Sequence, residues 1–511
     1  MHTLKHWLVS ILIFPLVVAC SVNPVTGKRE LILVSAQQEV AIGEQNYAPS
    51  QQAQGGRYVI DPDLQAYVNQ VGHKLAAVSD RPDLPYEFVV LNNSVPNAWA
   101  LPGGKIAVNR GLLTELDDES ELAAVLGHEI VHAAARHTAR QMTRSTLLGV
   151  GASVLAISTA DSDYAALTNT ATSIGLAAWL SKYGRDAELE ADAYGMEYMS
   201  RAGYDPMGAV RLQETFVKLS EGNNQDFISG LFASHPPSRE RLEANRQKAK
   251  TLSGSVVNRA VYQQKIVQLI HDKPAYAAQD KAIEALNNKQ PERALRLLDS
   301  AVDVQPNNGY FWELRGHAWE MQKNFSNAEK AFTTAINKNP EYYSHYLARG
   351  TLRYQQGNKA GAKADLQKSY NLLPTEQSSF LLGEMTADTN PAQAIGYYQQ
   401  AVQSGGNLSQ AANRRLVELE FNQAPYKYVL SQAGFDNQGY LIILLANTAH
   451  KSATDINLIF ANVTAGTGSQ SLGISGSLAP GEQRQIQTGL GPFSQPYPNI
   501  QVQVKSARLT D

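Results

Sequence analysis

The sequence predicts a mainly α-helical chain with three successive parts: an α+β domain, a solenoid of helical repeats and a small all-β domain. A metal-ligand pattern lies on a predicted helix of the first part, among short strand-like segments. Residues from about 280 repeat every 34 positions, and residues after about 425 have the pattern of β-strands. A length of 511 residues also corresponds to about three domains.

Composition and charge limit the class of protein. The chain is 43% hydrophobic and 18% charged, which is an ordinary globular balance. Its formal net charge of −3 gives no reason to expect a nucleic-acid partner. It has one cysteine, so no disulfide can form within the chain and a cysteine-based metal site is excluded.

The first twenty residues have the pattern of a bacterial targeting segment. A weakly basic start precedes an apolar run from Trp7 to Val18, which is too short to span a bilayer comfortably. The run leads into Val-Val-Ala-Cys, which resembles the lipobox of lipoproteins. We therefore predict a lipoprotein signal peptide at 1–19 and lipidation of Cys20, followed by a linker over 20–34. An ordinary signal peptide that contains a cysteine is the alternative.

Ser21 bears on the destination of such a lipoprotein. An aspartate at this position would resemble an inner-membrane retention signal, so the serine favours the outer membrane. The resemblance implies a periplasmic protein of a Gram-negative bacterium that is anchored to the membrane by its lipid.

Caps, periodicity and turn residues predict an α+β domain over residues 35–255. Its predicted elements are a helix capped by Ser35, a helix from Asp61-Pro62, a strand at 86–91, a hairpin at 97–108, a helix from Asp117 or Asp118 to about Met142, a helix from Tyr183 to about Ala202 and helices within 206–249. Two uncharged segments, 145–160 and 164–181, are predicted to be buried or membrane-facing helices rather than membrane spans.

The metal-ligand pattern is His128-Glu129-Ile130-Val131-His132. Histidines four residues apart share one helical face and can hold one metal ion. Glu129 lies beside the first histidine, in the position of a carboxylate that accepts a proton from a zinc-bound water. Without a third ligand the pattern is more typical of a surface helix, so the rest of the sequence has to supply one.

Glu188 is the predicted third ligand. The metzincin spacing would place a histidine at position 138, where this chain has Thr138. Glu188 and Asp192 are four residues apart on one helical face, and we assign Asp192 to orienting a ligand histidine through its free ring nitrogen. Glu190 points elsewhere and is predicted to be a solvent-facing charge or a salt-bridge partner.

Together these motifs resemble the M48 family of zinc metallopeptidases. The matching residues are His128 to His132, Arg136-His137, Glu188 to Asp192 and, upstream, Asn97 to Gly104, within a resemblance that covers about residues 35–250. It implies a zincin-like α+β fold and one Zn²⁺ per chain on His128, His132 and Glu188, a donor set that suits zinc. It also implies an endopeptidase in which Glu129 is the general base that activates the metal-bound water.

The hairpin at 97–108 resembles the edge strand along which such peptidases bind extended substrate. The residues predicted to form this substrate edge are Asn97, Ala98, Trp99 and Ala100. Backbone pairing is largely insensitive to side chains, so it suits an enzyme that acts on unfolded segments.

Two further histidines have separate predictions. His137 follows His132 by five residues and is predicted to form a structural hydrogen bond rather than bind metal. His235 precedes Pro236, and in periplasmic members of the family the equivalent histidine is implied to occupy the open position of the zinc and latch the enzyme. Arg241 would then bind an oxyanion or brace the site. The alternative is that His235 caps the following helix.

The 34-residue period predicts tetratricopeptide repeats over residues 275–420. Three series keep this step: Ala294, Ala328 and Ala362; Leu298, Phe332 and Leu366; and Pro306, Pro340 and Pro374. Small residues at such positions let paired helices pack closely. The repeats are predicted to bind envelope proteins, including the outer-membrane protein assembly machinery, with a plain scaffold as the alternative.

Residues 425–511 are predicted to form a small Ig-like β-sandwich. Strand-like runs lie at 440–445, 456–460 and 500–504, with a turn at 479–482. The segment carries no chemical motif, so the prediction is an accessory domain.

The leading functional hypothesis is a zinc endopeptidase of the bacterial envelope that cleaves misfolded or stalled proteins in outer-membrane protein quality control. The alternative is a repeat-based periplasmic chaperone or assembly scaffold with a latched or largely silent zinc site. A third hypothesis is a purely structural metal site. The intact Glu129 favours the first hypothesis, since a scaffold has no need of a general base.

Overall fold

The computed structural model describes residues 20–157, 183–221, 231–462, 469–495 and 497–510. The predicted signal peptide at 1–19 and the predicted helix at 164–181 lie outside this part of the chain. The chain divides into two compact units, one that ends at His345 and one that begins at Tyr346. The predicted domain boundaries stay predictions.

The segment predicted to be a linker is a folded hairpin. Strands β1 (Cys20–Val22) and β2 (Arg29–Leu31) pair in antiparallel fashion. The Oδ1 of Asn23 closes the turn by accepting a hydrogen bond from the backbone N–H of Val25, and both side chains are buried. The stretch assigned to a linker thus contains a turn in which Gly27 has a φ of 69°, and the linker itself stays a prediction.

The α+β part of the first unit contains a small mixed sheet and several helices. Its elements are α1 (Ala36–Ala53), α2 (Pro62–Ala76), β3 (Glu87–Leu91), β4 (Ala98–Leu101), β5 (Lys105–Asn109), α3 (Arg110–Leu113), α4 (Glu119–Ala134), α5 (His137–Ile157), α6 (Arg185–Arg201), α7 (Met207–Glu221), α8 (Leu231–Ser234) and α9 (Arg239–Ala249). The predicted capping residues Ser35, Asp61 and Asp118 each accept a backbone hydrogen bond at their helix start.

The sheet has the strand order β3-β5-β4, with β3 parallel and β4 antiparallel to β5. Helix α4 packs against β4 and β5 on one side and against α2, α6 and α7 on others. Its apolar residues, including Leu122, Leu126 and Ile130, are fully buried in the main core. The helix that carries the metal-ligand pattern is therefore the central helix of this unit.

Helix α4 ends earlier than the sequence predicts. The prediction is a continuous helix to about Met142, but α4 ends at Ala134 and α5 begins at His137. Arg136 has a φ of 61°, in the left-handed region that a side chain rarely adopts. Its buried guanidinium donates to the Glu39 carboxylate at 2.8 Å. This distant partner stabilises a break between two helices that local propensity does not indicate.

Paired helices follow where repeats are predicted. In the first unit they are α10 (Arg259–Lys265), α11 (Val267–Asn287), α12 (Pro291–Val304), α13 (Gly309–Met321) and α14 (Phe325–Lys338). Ala294 and Ala328 are fully buried. A Cβ on Gly316 would lie 2.3 Å from the Phe332 ring, so a small residue is required there for α13 and α14 to pack. Helix α15 (Tyr343–Gln355) contains the boundary between the units.

The second unit continues with helices and ends in strands. These elements are α16 (Lys359–Leu372), α17 (Glu376–Thr386), α18 (Pro391–Gln403), α19 (Ser409–Gln423), β6 (Val429–Phe435), β7 (Leu441–Asn447), β8 (Ser452–Asn462), β9 (Gln470–Ile474), β10 (Gln483–Gln487) and β11 (Ile500–Thr510). The strands form two antiparallel sheets, ordered β10-β7-β6 and β11-β8-β9, which share one core. The mainly helical character is confirmed, and the Ig-like sandwich stays a prediction.

None of the helices in the described residues combines the length and the apolar character needed to cross a bilayer.

Candidate metal centre

Two crossing helices bring the predicted metal ligands together. Helices α4 and α6 meet where Gly127 faces Gly195, and a Cβ on Gly127 would lie 3.0 Å from the Gly195 carbonyl oxygen. The missing side chains let the two backbones approach closely. His128 directly follows the crossing on α4, and Glu188 lies two helical turns before it on α6. Both helices therefore present these side chains to the same space.

The nitrogen and oxygen atoms of these residues face one another. His128 Nε2 lies 3.0 Å from His132 Nε2 and 3.5 Å from Glu188 Oε2, and His132 Nε2 lies 3.4 Å from Glu188 Oε1. His235 joins them, with its Nδ1 3.2 Å from His128 Nε2 and 3.1 Å from Glu188 Oε1. The candidate ligand atoms of all four residues lie within 4.8 Å of one another.

This donor set fits zinc. Bonds of about 2.0–2.2 Å in a tetrahedral arrangement place donor atoms roughly 3.3–3.6 Å apart. The separations of 3.0 to 3.5 Å in this site are close to that spacing. Imidazole and carboxylate are also ligand types that zinc binds. Burial lowers the pKa of His132 well below its ordinary value, so its ring is neutral and can offer a lone pair.

Glu129 is buried beside this group. Its Oε1 lies 3.6 Å from His235 Nε2, and its Oε2 has no hydrogen-bond partner among the described residues. Burial raises the pKa of Glu129 above its ordinary value. A buried carboxylate with a raised pKa and an unsatisfied oxygen is well suited to accept a proton.

Asp192 and Arg241 form a buried ion pair behind His128. Arg241 Nε and Nη2 donate to the two carboxylate oxygens of Asp192 at 2.7 and 2.8 Å, and Arg241 Nη1 lies 2.8 Å from Glu188 Oε2. Burial alone would raise the pKa of Asp192, but the guanidinium holds it below its ordinary value. Asp192 Oδ1 lies 2.9 Å from His128 Nδ1. This contact places the ring proton on Nδ1 and leaves Nε2 for a metal.

A second carboxylate reaches His132 through His137. Because the helix breaks at Arg136, His137 Nδ1 lies 2.8 Å from His132 Nδ1, and His137 Nε2 lies 3.1 Å from Glu190 Oε1. Glu190 is therefore a partner of a buried histidine, and its side chain is 13% exposed. No local pattern indicates this contact, since a continuous helix would carry His137 away from the ligand face.

The predicted substrate edge lies on β4, which is one of the two outer strands of its described sheet. Ala98 and Ala100 are in the strand, whereas Asn97 directly precedes it and accepts a backbone hydrogen bond from Asn109. Trp99 Nε1 donates to Gln54 Oε1. An apolar recess adjoins Glu129 and His235 and is lined by Val125, Met199, Leu212, Phe216 and Leu231.

Comparison with known proteins defines the class of the first domain. Residues 62–249 match the model of Peptidase family M48, and residues 280–335 and 322–375 match the tetratricopeptide repeat model. These matches identify an M48 peptidase domain followed by tetratricopeptide repeats. The predicted resemblance is confirmed, and metallopeptidase is the class of enzyme that the matched family model indicates for residues 62–249.

Three relatives illustrate the likeness. The chain is similar to the Beta-barrel assembly-enhancing protease of Escherichia coli (strain K12), with 26% identity over 55% of this chain and 63% of that protein. It is 32% identical to the Mitochondrial metalloendopeptidase OMA1 of Schizosaccharomyces pombe, over 43% of this chain and 63% of that protein. It is 33% identical to the Metalloprotease YcaL of Escherichia coli (strain K12), over 32% of this chain and 62% of that protein. The chain thus spans less than two thirds of the length of these relatives.

Proposed function

We propose that the chain is a zinc-dependent endopeptidase of the bacterial envelope, with the metal held by His128, His132 and Glu188. The observation that carries this proposal is a buried Glu129 carboxylate with an unsatisfied oxygen, beside a donor group with the spacing of a zinc site. The match of residues 62–249 to Peptidase family M48 supports the same activity.

Each residue around the metal has its own role in the proposed hydrolysis. Bound zinc would polarise the scissile carbonyl and lower the pKa of a water molecule. Glu129 accepts the proton of the attacking water at its free Oε2 and then delivers it to the leaving amine. Burial raises the pKa of Glu129, which strengthens its carboxylate as a proton acceptor. Asp192 holds the ring proton of His128 on Nδ1, and Arg241 keeps the Asp192 carboxylate charged.

Extended segments of unfolded proteins are the proposed substrates. The outer edge of β4 offers backbone groups to a substrate strand, and such pairing does not select a particular sequence. The apolar recess beside Glu129 is placed to receive one apolar side chain of the bound segment. Cleavage would therefore favour unfolded chains with apolar residues near the scissile bond.

The repeats and the N-terminal segment supply the cellular context of the proposal. Tetratricopeptide repeats build surfaces that bind other proteins, so the repeats are proposed to select misfolded or stalled envelope proteins. The relative named Beta-barrel assembly-enhancing protease favours clients from the assembly of outer-membrane proteins. A lipid on Cys20 would hold the enzyme in the periplasm at the outer membrane.

Metal loading tests the proposed activity directly. Protein loaded with one equivalent of zinc is expected to cleave an unfolded test protein, because the chain's own residues supply the donor group. A chelator is expected to abolish the cleavage, and zinc is expected to restore it. The measurements are metal content and the appearance of fragments over time. Cleavage that continues at full rate in metal-free protein would contradict the proposal.

Replacing His235 with alanine tests the proposed latch. His235 Nδ1 occupies the space beside His128 and Glu188 where a catalytic zinc keeps a position open. His235→Ala is expected to raise kcat/KM for an unfolded protein about fivefold, the factor that corresponds to one net hydrogen bond of about 1 kcal/mol. His73→Ala, at an exposed position of α2, is the control. Unchanged rate and specificity would rule the latch out.

The four-residue donor group also favours a second candidate function. A zinc with four protein ligands is typical of a closed site, so a chaperone or assembly scaffold with a silent metal centre fits the same geometry. Loss of zinc from His235→Ala, with no gain of activity, would support a structural site. Full rescue of envelope defects by a variant without the Glu129 carboxylate would support the scaffold.

A further inference from the structure

The N-terminal hairpin lies against the candidate metal centre. Asn23 at its turn is fully buried, and its Nδ2 lies 3.3 Å from the Ala135 carbonyl oxygen, just after the end of α4. The same Nδ2 lies 3.4 Å from Glu190 Oε1, on a helix 167 positions further along the chain. The hairpin thus contacts both helices that carry the predicted metal ligands.

The orientation of the Asn23 amide is fixed by its own turn. Its Oδ1 accepts from the backbone N–H groups of Val25 and Thr26, at 2.9 and 3.2 Å. A backbone N–H can only donate, so the oxygen has to face the turn and the NH₂ group has to face Glu190. The same NH₂ also lies 3.3 Å from both carboxylate oxygens of Glu30, so Asn23 donates within a group of acceptors formed by Glu30, Ala135 and Glu190.

The hydrogen bonds that link His132 to Glu190 through His137 also have a single consistent direction. Nε2 of His132 faces the other donor atoms, so it has to be free of a proton to bind a metal. The ring proton of His132 then lies on Nδ1 and is donated to Nδ1 of His137, 2.8 Å away. His137 in turn carries its proton on Nε2 and donates it to Glu190 Oε1 at 3.1 Å. Each ring is held in a single tautomer.

We propose that Asn23, Glu190 and His137 are positioning residues that fix the ring and the tautomer of His132, so that the N-terminal hairpin is a working part of the metal centre. The inference rests on the proposed metal site. It gives the two ligand histidines matching supports from α6: Asp192 contacts His128 directly, and Glu190 reaches His132 through His137. The N-terminal hairpin, through Asn23, contributes only to the support of His132.

Zinc affinity, measured by competition with a chromophoric chelator, tests the proposal without turnover. His137→Ala is expected to weaken zinc binding about 10- to 100-fold, the usual effect of removing a partner of a ligand histidine. Asn23→Asp keeps the Oδ1 acceptor that the turn needs but replaces the donor with a second oxygen that faces the carboxylates of Glu30 and Glu190. It is expected to weaken binding about tenfold, at the lower end of the same range. Lys28→Ala, at an exposed position of the same turn, is expected to leave the affinity unchanged.

The tautomer of His132 distinguishes a positioning role from a merely structural one. In the metal-free protein, ¹⁵N spectra of the histidine rings are expected to show His132 protonated on Nδ1, and a mixture of tautomers after His137→Ala.

Two results would overturn the inference. One is unchanged zinc affinity in both His137→Ala and Asn23→Asp, and the other is a His132 tautomer that does not respond to His137→Ala. If Asn23→Asp does not fold, Glu190→Gln and His137→Asn, which change few atoms, decide the same question. Zinc binding without any peptidase activity would contradict the proposed function and leave this inference standing, because neither readout needs turnover.

Discussion

Replacing Glu129 with glutamine is expected to lower kcat for peptide hydrolysis about 10²- to 10⁴-fold, the range that a general acid–base group contributes. The amide has nearly the shape of the carboxylate but cannot accept the proton of the attacking water. Glu129 is not among the four residues whose ligand atoms cluster, so zinc is expected to stay bound. Zinc content and single-turnover cleavage of an unfolded protein are the two measurements.

Glu121→Gln is the matched control for this variant. Glu121 lies two turns earlier on α4, and burial raises its pKa to about 7, so glutamine there is close to its protonated form. The control is expected to keep both zinc and activity. Hydrolysis that persists in zinc-loaded Glu129→Gln protein would contradict the assigned role. Loss of zinc together with activity would instead show that Glu129 holds the metal.

Replacing Arg241 with methionine is expected to lower the free energy of unfolding of the metal-free protein by about 3–5 kcal/mol. The Arg241 side chain is only 8% exposed and contacts both Asp192 and Glu188. Its removal leaves two buried carboxylates without their cation, and methionine fills the space without replacing the charge. Denaturant unfolding in the presence of a chelator measures this effect, because bound zinc would supply positive charge to Glu188.

Arg239→Met is the control for Arg241. It lies two residues earlier on α9 and pairs with Glu221, but its side chain is 83% exposed and solvent screens the pair. The free energy of unfolding is expected to stay unchanged in this variant. Adding Asp192→Asn to Arg241→Met is expected to recover part of the stability, since one unpaired buried charge is removed. Equal stability of Arg241→Met and the wild type would contradict the charge argument.

Local patterns in the sequence predict those parts of the molecule that depend on local physics. His128 and His132, and Glu188 and Asp192, are spaced by one helical turn, so their shared faces follow from helix geometry. The capping residues and the 34-residue period are visible for the same reason. These features need no knowledge of what the helix will contact.

The parts that the sequence does not predict depend on contacts between distant residues. The helix break at Arg136 involves a contact with Glu39, which is 97 positions away, and the hairpin contacts Ala135 and Glu190. When these distant contacts are not known, the sequence predicts that the helix continues through Arg136 and His137 and that residues 20–34 are a spacer. The role of His137 is therefore only partly predictable: its pattern indicates a structural hydrogen bond, but not the partner.

The N-terminal hairpin also limits the distance between Cys20 and the end of α4. Strand β1 begins at Cys20, and Asn23 is already fixed against the turn that follows α4. Three residues of extended chain span at most roughly 11 Å. If Cys20 carries the predicted lipid, the catalytic centre has almost no tether and works at a fixed height above the headgroups. Such an enzyme would act on polypeptides that emerge at the membrane surface, and proteins in the bulk periplasm would have to diffuse to it.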